Sequence, residues 1–372
     1  MSSPLAIVHT ESSLGWGGQE IRILSESQGL IRRGHAVRLL APAGARIVEE
    51  APRFGVPVEV LPIANKRPRG LLALARWLRA NSCDVVNTHS STDSWLASLA
   101  LVTLGRPAPV VRTRHISAPV PKNAASRWLY ARAASRVVTA GEAIRRQLIE
   151  DNGFPAGRIE SVPTGIDAGR FAPGDRAAAR ALLCLPPQKF LVGIVATLRS
   201  WKGHRYLVEA MAVLPETIEL VIVGDGPQRA ALEAQIRDSG LGARVRMAGN
   251  RDDVLPWLQA LDAFALPSYA NEGVPQALVQ AMLAGLPCVT TGAGSIPELA
   301  LHERTALVVR AQDAAALAAA IARLAVEPTL RARLGQQARE HCLGRYTLER
   351  MLDRMEAIFA SVAGRAMPVE GR

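Results

Sequence analysis

Short β-branched or apolar runs alternate along this chain with segments whose apolar residues repeat at helical spacing. In the first half the runs lie near 5–10, 36–41, 57–61, 84–89, 109–115 and 136–139, and in the second near 190–197, 217–223, 243–248, 262–267, 286–291 and 305–309. Runs that are apolar throughout, rather than every second residue, suit strands covered on both faces, and alternation with helices suits parallel sheets. The pattern predicts two doubly wound α/β domains, the number that 372 residues also suggests. Between them, Val162 to Asp167 and Phe171 to Asp175 are rich in turn residues and without a period, which marks a linker. After Gly344 a last helical pattern, Leu348, Met351, Leu352, Met355, Ile358 and Phe359, needs a surface to pack on, and the first domain is a candidate. The expected division is 1–168, 169–345 and a terminal segment 346–372.

In open parallel sheets ligands bind beyond the carboxyl ends of the strands, and that is where the chemically distinctive residues fall. The fullest such segment follows the run Ala263 to Pro267 and holds Glu272, Gly273, Val274 and Pro275, with Gln280 eight residues after the glutamate. Gly273 to Pro275 read as opening a helix. A carboxylate beside a helix start offers an acceptor for sugar hydroxyls and free N–H groups for an anion, or else Glu272 simply caps that helix. Gln280 lies about two turns further along that helix, so Glu272 and Gln280 share a face.

The other strand ends carry candidates of the same kind. Gly17 and Gly18, after the first run, either let backbone N–H groups approach a substrate or make a plain tight turn. No GxGxxG or Walker sequence is formed there, so a nicotinamide or ATP site is disfavoured. His115 ends the fifth run, where it could orient a reacting sugar or be a satisfied structural residue. Arg199 and Lys202 are two cations suited to a diphosphate, or an exposed loop pair. Gly224 and Gly226 would let a base or ribose approach the backbone, Arg251-Asp252-Asp253 could read a base edge, with Arg251 a donor-binding candidate, or cap a helix through Asp252, and Ser295 lies in a loop whose N–H groups could hold phosphate oxygens.

Composition adds a charge asymmetry. Residues 1–168 hold 21 Lys/Arg against 13 Asp/Glu, whereas 169–372 hold 23 against 20. The excess concentrates in Lys66 to Arg79 and Arg112 to Arg146, where Leu71, Leu74, Trp77, Leu78, Trp128, Leu129 and Tyr130 alternate with the bases. Such stretches read as a surface for anionic lipid or another polyanion, or as solvated helix faces. No nucleic-acid module is recognised, and nucleic acid is not an expected partner. Cys83, Cys184, Cys288 and Cys342 show no metal-ligand spacing and read as buried thiols of a reducing compartment. With no secretory leader visible and no apolar run near 20 residues, the expectation is a cytoplasmic protein, with peripheral binding at the inner face of the plasma membrane as its membrane contact.

Taken in order and spacing, Gly17-Gly18-Gln19-Glu20, His115, Pro163 to Asp167, Lys202-Gly203, Gly224 to Pro227, Glu272-Gly273 and Gly294 to Glu298 resemble the retaining GT-B glycosyltransferases of family 4 over nearly the whole chain. The resemblance implies two Rossmann-like domains facing across a cleft, with the terminal helix returning to the first domain. It implies a nucleotide-sugar donor (UDP-, GDP- or ADP-sugar) on the second domain and an acceptor on the first, with transfer by front-side attack. Glu272 would touch donor sugar hydroxyls, and His115 would bind the sugar. The sequence departs from the family at Gln280, where a second Glu is usual, and at Thr197, where an Arg is common. No Asp-x-Asp occurs, so no metal or other cofactor is expected. The basic first half suggests an anionic, membrane-held glycan or lipid-linked acceptor of the lipopolysaccharide core, O-antigen or capsule type. Rival readings are a sugar-nucleotide epimerase or phosphorylase of the same fold, and a non-catalytic sugar-nucleotide binder.

Overall fold

The computed structural model describes residues 4–365. The described residues form two compact units, one comprising 4–165 with 348–365 and the other 166–347; residues 366–372 of the expected terminal segment lie outside the described residues.

The first unit holds a seven-stranded sheet ordered β3-β2-β1-β4-β5-β6-β7, with β1 Ala6–Thr10, β2 Ala36–Ala41, β3 Val58–Val60, β4 Val85–Thr88, β5 Val110–Arg114, β6 Arg136–Thr139 and β7 Ile159–Ser161. Every pairing is parallel. β7 is absent from the sequence reading because three residues, two of them the polar Glu160 and Ser161, give no period at a sheet edge. The second unit holds six parallel strands ordered β10-β9-β8-β11-β12-β13, with β8 Phe190–Val195, β9 Ile218–Val223, β10 Val245–Gly249, β11 Ala263–Leu266, β12 Cys288–Thr291 and β13 Leu307–Val309. In each sheet the strand order reverses once, between β1 and β4 and between β8 and β11. At such a point the crossover helices depart to opposite sides and leave a crevice at the carboxyl ends of the strands.

One face of the first sheet is closed by the helix Leu348–Val362, whose Met351, Leu352, Met355, Ile358 and Phe359 are buried together with Leu5, Ile7, Val37, Val85, Val111 and Val138. A Cβ added to Gly29, on the helix Gly18–Arg32, would stand 2.4 Å from Leu352 Cδ1, so glycine is what admits that leucine. Charge reinforces the contact, since Arg33 pairs with Glu349 at 2.6 Å, Asp353 at 2.8 Å and Glu356 at 3.1 Å.

The apolar residues of the basic stretches are used inside the first unit. Leu74, Trp77 and Leu78, on the helix Pro68–Ala80, belong to one core cluster, and Leu129 and Tyr130 to another. Lys66, Arg67, Arg69, Arg76 and Arg79 are exposed. The first stretch therefore presents charge to solvent, with Leu72 its exposed large apolar residue, whereas Arg112, which opens the second, is buried. Among the described residues no helix is long and apolar enough to cross a membrane.

Leu352→Ala should lower the unfolding free energy of the first unit by about 2–5 kcal/mol, the usual cost of emptying a packed leucine site. Chemical denaturation followed by a probe in that unit checks this; a loss below about 1 kcal/mol would mean that the helix packs loosely.

Candidate functional site

Two groups of polar residues stand at the two switch points. In the second unit, β8 and β11 pair through Ala263 with Val192 and Phe264 with Gly193, so the loops that follow them start side by side. Trp201 O accepts from Tyr269 N at 2.9 Å, and a Cβ on Gly203, whose φ is +77°, would lie 2.1 Å from Pro267 O. From this contact Lys202 Nζ reaches Glu272 Oε1 at 2.7 Å. The carboxylate is 4% exposed, and a buried acid with an ammonium partner is far cheaper than one without.

Backbone from a third loop fixes Glu272. Its carbonyl accepts from Ser295 N at 3.2 Å, and Gly294, at φ +54°, brings its Cα so close that a Cβ would stand 2.1 Å from that oxygen. Asn271 takes a left-handed φ of +59°, a conformation Asn tolerates better than most residues. The third loop is tied back to β11 by Thr290 Oγ1 donating to Leu266 O at 2.8 Å and Thr291 Oγ1 donating to Ser268 O.

Three sequence expectations are corrected here. The helix is Gln276–Leu283, with Pro275 in its N-cap position at φ −71° and ψ 120°, so Glu272 precedes it and the shared-face argument with Gln280 does not apply. Gln280 is half-buried within that helix; Gly273 and Val274 are buried before it. Glu272 spends its carboxylate on Lys202 rather than on a helix cap. Asp252 is not the predicted cap: Val254 holds the N-cap position of the helix Leu255–Ala260 without a side-chain cap bond, and Asp253 Oδ1 accepts from Leu255 N at 3.1 Å just before it.

The remaining candidates of this unit sort by what holds them. A Cβ on Gly224 would meet Ala196 O at 2.0 Å, and one on Gly226 would meet Leu198 N and O at 2.9 Å. Both glycines are thus required by loop packing within the chain. Arg199 lies over the Trp201 ring at 5.7 Å, and Arg251 over Trp257 at 5.3 Å, with Arg251 Nε donating to Ala248 O at 3.0 Å. Neither cation reaches Glu272 in the manner of Lys202.

Three buried polar groups near this pair were missed or only half seen in the sequence. Ser268 and Ser295 hydroxyls and both ring nitrogens of His204 have no hydrogen-bond partner among the described residues. Burial and then the Lys202 charge push His204 down to about 3, so its ring is neutral. The signal for His204 and Ser268 was adjacency in sequence to Lys202 and Glu272, and for Ser295 its place in a loop after a strand.

In the first unit, His115 follows β5 directly and its ring is within hydrogen-bond distance of His89, whose ring is in turn within hydrogen-bond distance of His9. Gly17 is the N-cap of the helix Gly18–Arg32 with φ −177°, open to any residue, and a Cβ there would meet nothing nearer than Glu20 Oε2 at 3.8 Å. Unlike Gly224 and Gly226, it is not demanded by packing within its unit. Beside it lies Glu11, accepting from Ser13 N at 2.7 Å and from Gln19 Nε2. Burial first, and Asp93 next, push Glu11 up to about 8. Asp93 itself accepts from Thr10 Oγ1 and from His89 N, both at 2.8 Å. Deeper still, the fully buried Arg22 donates to Val162 O at 2.8 Å and lies 3.6 Å from Glu26, which burial raises to about 7 against the pull of Arg22.

A model described as Glycosyltransferase Family 4 matches residues 16–170, and one described as Glycosyl transferases group 1 matches residues 189–327. The D-inositol 3-phosphate glycosyltransferase of Mycolicibacterium gilvum is 30% identical over 337 residues, covering 80% of this chain and 74% of that protein. This chain belongs to glycosyltransferase family 4. A second relative of the same name, from Xylanimonas cellulosilytica, is 30% identical over 372 residues and covers 87% of each chain. The glycosyltransferase also shares its fold with Anabaena HepE, solved in complex with UDP-glucose, at a TM-score of 0.86 and 24% identity, over 96% of this chain and 100% of that one. The fold class is therefore GT-B, two Rossmann-like α/β domains.

The buried neutral groups make stability of this transferase depend on pH in a defined way. His204 and His9 both sit near 3, so below about 6.5 the unfolded chain takes up protons that the folded one refuses. Stability should fall as pH drops from 6.5, by up to about 1.4 kcal/mol per pH unit for each such histidine. Glu11 and Glu26 act oppositely, favouring the folded state as pH falls from about 8 toward 4.5. His204→Leu, which removes two unpartnered nitrogens, should flatten the acid limb of melting temperature against pH; an unchanged slope would show that His204 is not a neutral buried ring.

Proposed function

We propose that this glycosyltransferase moves a hexose-type sugar from a nucleotide-sugar donor, bound by the second unit, to an anionic glycan or lipid-linked acceptor bound by the first, with retention at the anomeric carbon. The observation that carries the reading is the Lys202–Glu272 pair, held at the switch point by backbone contacts that only glycine permits at positions 203 and 294. Glu272 accepts hydrogen bonds from donor sugar hydroxyls. Lys202, with N–H groups at the helix starts, stabilises the charge gathering on the departing diphosphate. Ser268, Ser295 and His204 bring unspent hydrogen-bonding capacity to the same loops. The departing phosphate oxygen takes the acceptor proton, and His115 binds the reacting sugar.

For the acceptor, the exposed bases from Lys66 to Arg79 favour a negatively charged molecule, and a cell-surface glycan carrier of the lipopolysaccharide core, O-antigen or capsule type meets that need at the inner face of the plasma membrane. The names of the relatives favour a second reading, in which the acceptor is a small phosphorylated polyol such as D-inositol 3-phosphate.

A thermal-shift screen with UDP-, GDP- and ADP-sugars should single out one base, with stabilisation of about 2.7 kcal/mol at a hundredfold excess over Kd. Nucleotide release in the presence of an acceptor then separates a transferase from a binder, and the proposal fails if no nucleotide sugar shifts the melting curve. Lys202→Ala should lower turnover at saturating donor by about 10²–10³-fold, the usual loss for one charge-stabilising donor. Unchanged turnover would remove Lys202 from the mechanism.

A further inference from the structure

Three imidazoles form a line through the switch point of the first unit. His9 lies in β1, His89 follows β4 and His115 follows β5, three adjacent strands. His9 aligns with Asn87, two residues before His89, and Thr88 aligns with Arg112, three before His115. Each step therefore climbs by two residues, which keeps the side chains on one face. His9 Nδ1 is 2.9 Å from His89 Nε2, and His89 Nδ1 is 3.0 Å from His115 Nε2. Ring centroids are 5.2 Å apart at both steps. Exposure rises along the line, from 0% at His9 to 4% at His89 and 9% at His115. Among the described residues no three His, Cys, Asp or Glu side chains are arranged to hold a metal ion.

A neutral imidazole has one N–H and one lone pair. Burial first holds all three rings low, His9 at about 3 and the other two well below the usual histidine value, and the Arg22 charge adds to this at each ring. Two N···N bonds among three neutral rings leave two arrangements only. Either every Nδ1 carries the proton, or every Nε2 does; a single reversed ring would set two protons or two lone pairs against each other.

The buried end decides between them. His9 Nε2 has no hydrogen-bond partner among the described residues, and neither has Nε of Arg22, whose charge acts on every ring. A bare lone pair is favoured in the field of a buried cation, and a bare N–H is disfavoured. His9 then donates from Nδ1 to His89, and His89 donates from Nδ1 to His115.

We propose that His9 and His89 are positioning residues that hold His115 in its Nδ1–H tautomer, so that the accessible ring meets a ligand oxygen as a hydrogen-bond donor and does not act as a base. The proposal rests on the reading of His115 as a sugar-binding residue. Its consequence is a donor with fixed direction and no charge, suited to a sugar hydroxyl or ring oxygen.

Nitrogen-15 NMR of the full chain labelled at histidine tests this without reference to activity. The expected spectrum shows protonated Nδ1 and unprotonated Nε2 for all three rings; Nε2–H at His115 overturns the proposal. In His89→Phe the His115 nitrogens should shift toward a tautomer mixture, and sugar transfer should fall about five- to tenfold, the worth of one hydrogen bond. Partial recovery in His89→Gln, whose amide can both accept and donate, supports positioning; a His115 tautomer unchanged in His89→Phe refutes it. Should His89→Phe not fold, His9→Phe removes the buried end of the line and is read by the same spectrum with the same two outcomes. If His115→Ala leaves transfer intact while the tautomer is as stated, the positioning role falls with the reading of His115, and the line remains as a feature of the core.

Discussion

The constraint on which the rest depends is the pairing of strands that are not consecutive in the chain: β1 with β4 and β8 with β11. A parallel strand can be placed beside another only through a crossover, and crossovers leaving in opposite directions open a crevice at the strand ends. Lys202 and Glu272 are seventy residues apart in sequence and meet because their loops leave the two strands that flank that crevice. The same geometry in the first unit puts His9 and His89 in hydrogen-bond contact across eighty residues. Neither contact has a local cause, and neither would survive a change in strand order.

Once the loops are neighbours, backbone contact makes the positions rigid. Gly203 against Pro267 O and Gly294 against Glu272 O are approaches that no side-chain-bearing residue could make. Their dihedral angles are left-handed as well, so glycine is required twice over. Gly17 is different, since its backbone is extended and the space above it is clear of its own unit. A glycine with no demand from conformation or packing is the kind that an approaching ligand would explain, whereas Gly224 and Gly226 are already explained by Ala196 and Leu198.

Twelve of the thirteen strands were legible in the sequence because buried parallel strands are apolar from end to end, as in Leu220 to Val223. The edge strand Ile159–Ser161 was not, because an edge needs no apolar run. Glu272 and Lys202 were legible one at a time, through their places after strands, but their pairing was not, since the contact depends on strand order that a single sequence does not display. The spacing between Glu272 and Gln280 misled, because a helical period was applied to a residue outside the helix. The histidine line was invisible for a similar reason: His9 sits inside an apolar strand and His89 among turn residues, and only the registers of β1 with β4 and β4 with β5 bring out their alignment. The apolar residues of the basic stretches were read outward when they face the core, because amphipathicity shows that a helix has two sides and not which neighbour covers the apolar one.

At their switch points the two units carry buried polarity with different emphasis. In the second, an ion pair is kept, Lys202 with Glu272, beside the neutral His204. In the first, charge is largely given up at the histidines, which burial keeps neutral, and at Glu11, whose proton is held to about pH 8. On the proposed function this division has a chemical sense. A diphosphate that reaches Lys202 takes over an ammonium already partly desolvated, and sugar hydroxyls replace that ammonium on Glu272, so binding exchanges partners rather than burying a new charge. Neutral donors and acceptors in the first unit, by contrast, can orient hydroxyl groups without attracting the nucleotide's phosphates away from the cation that stabilises their departure.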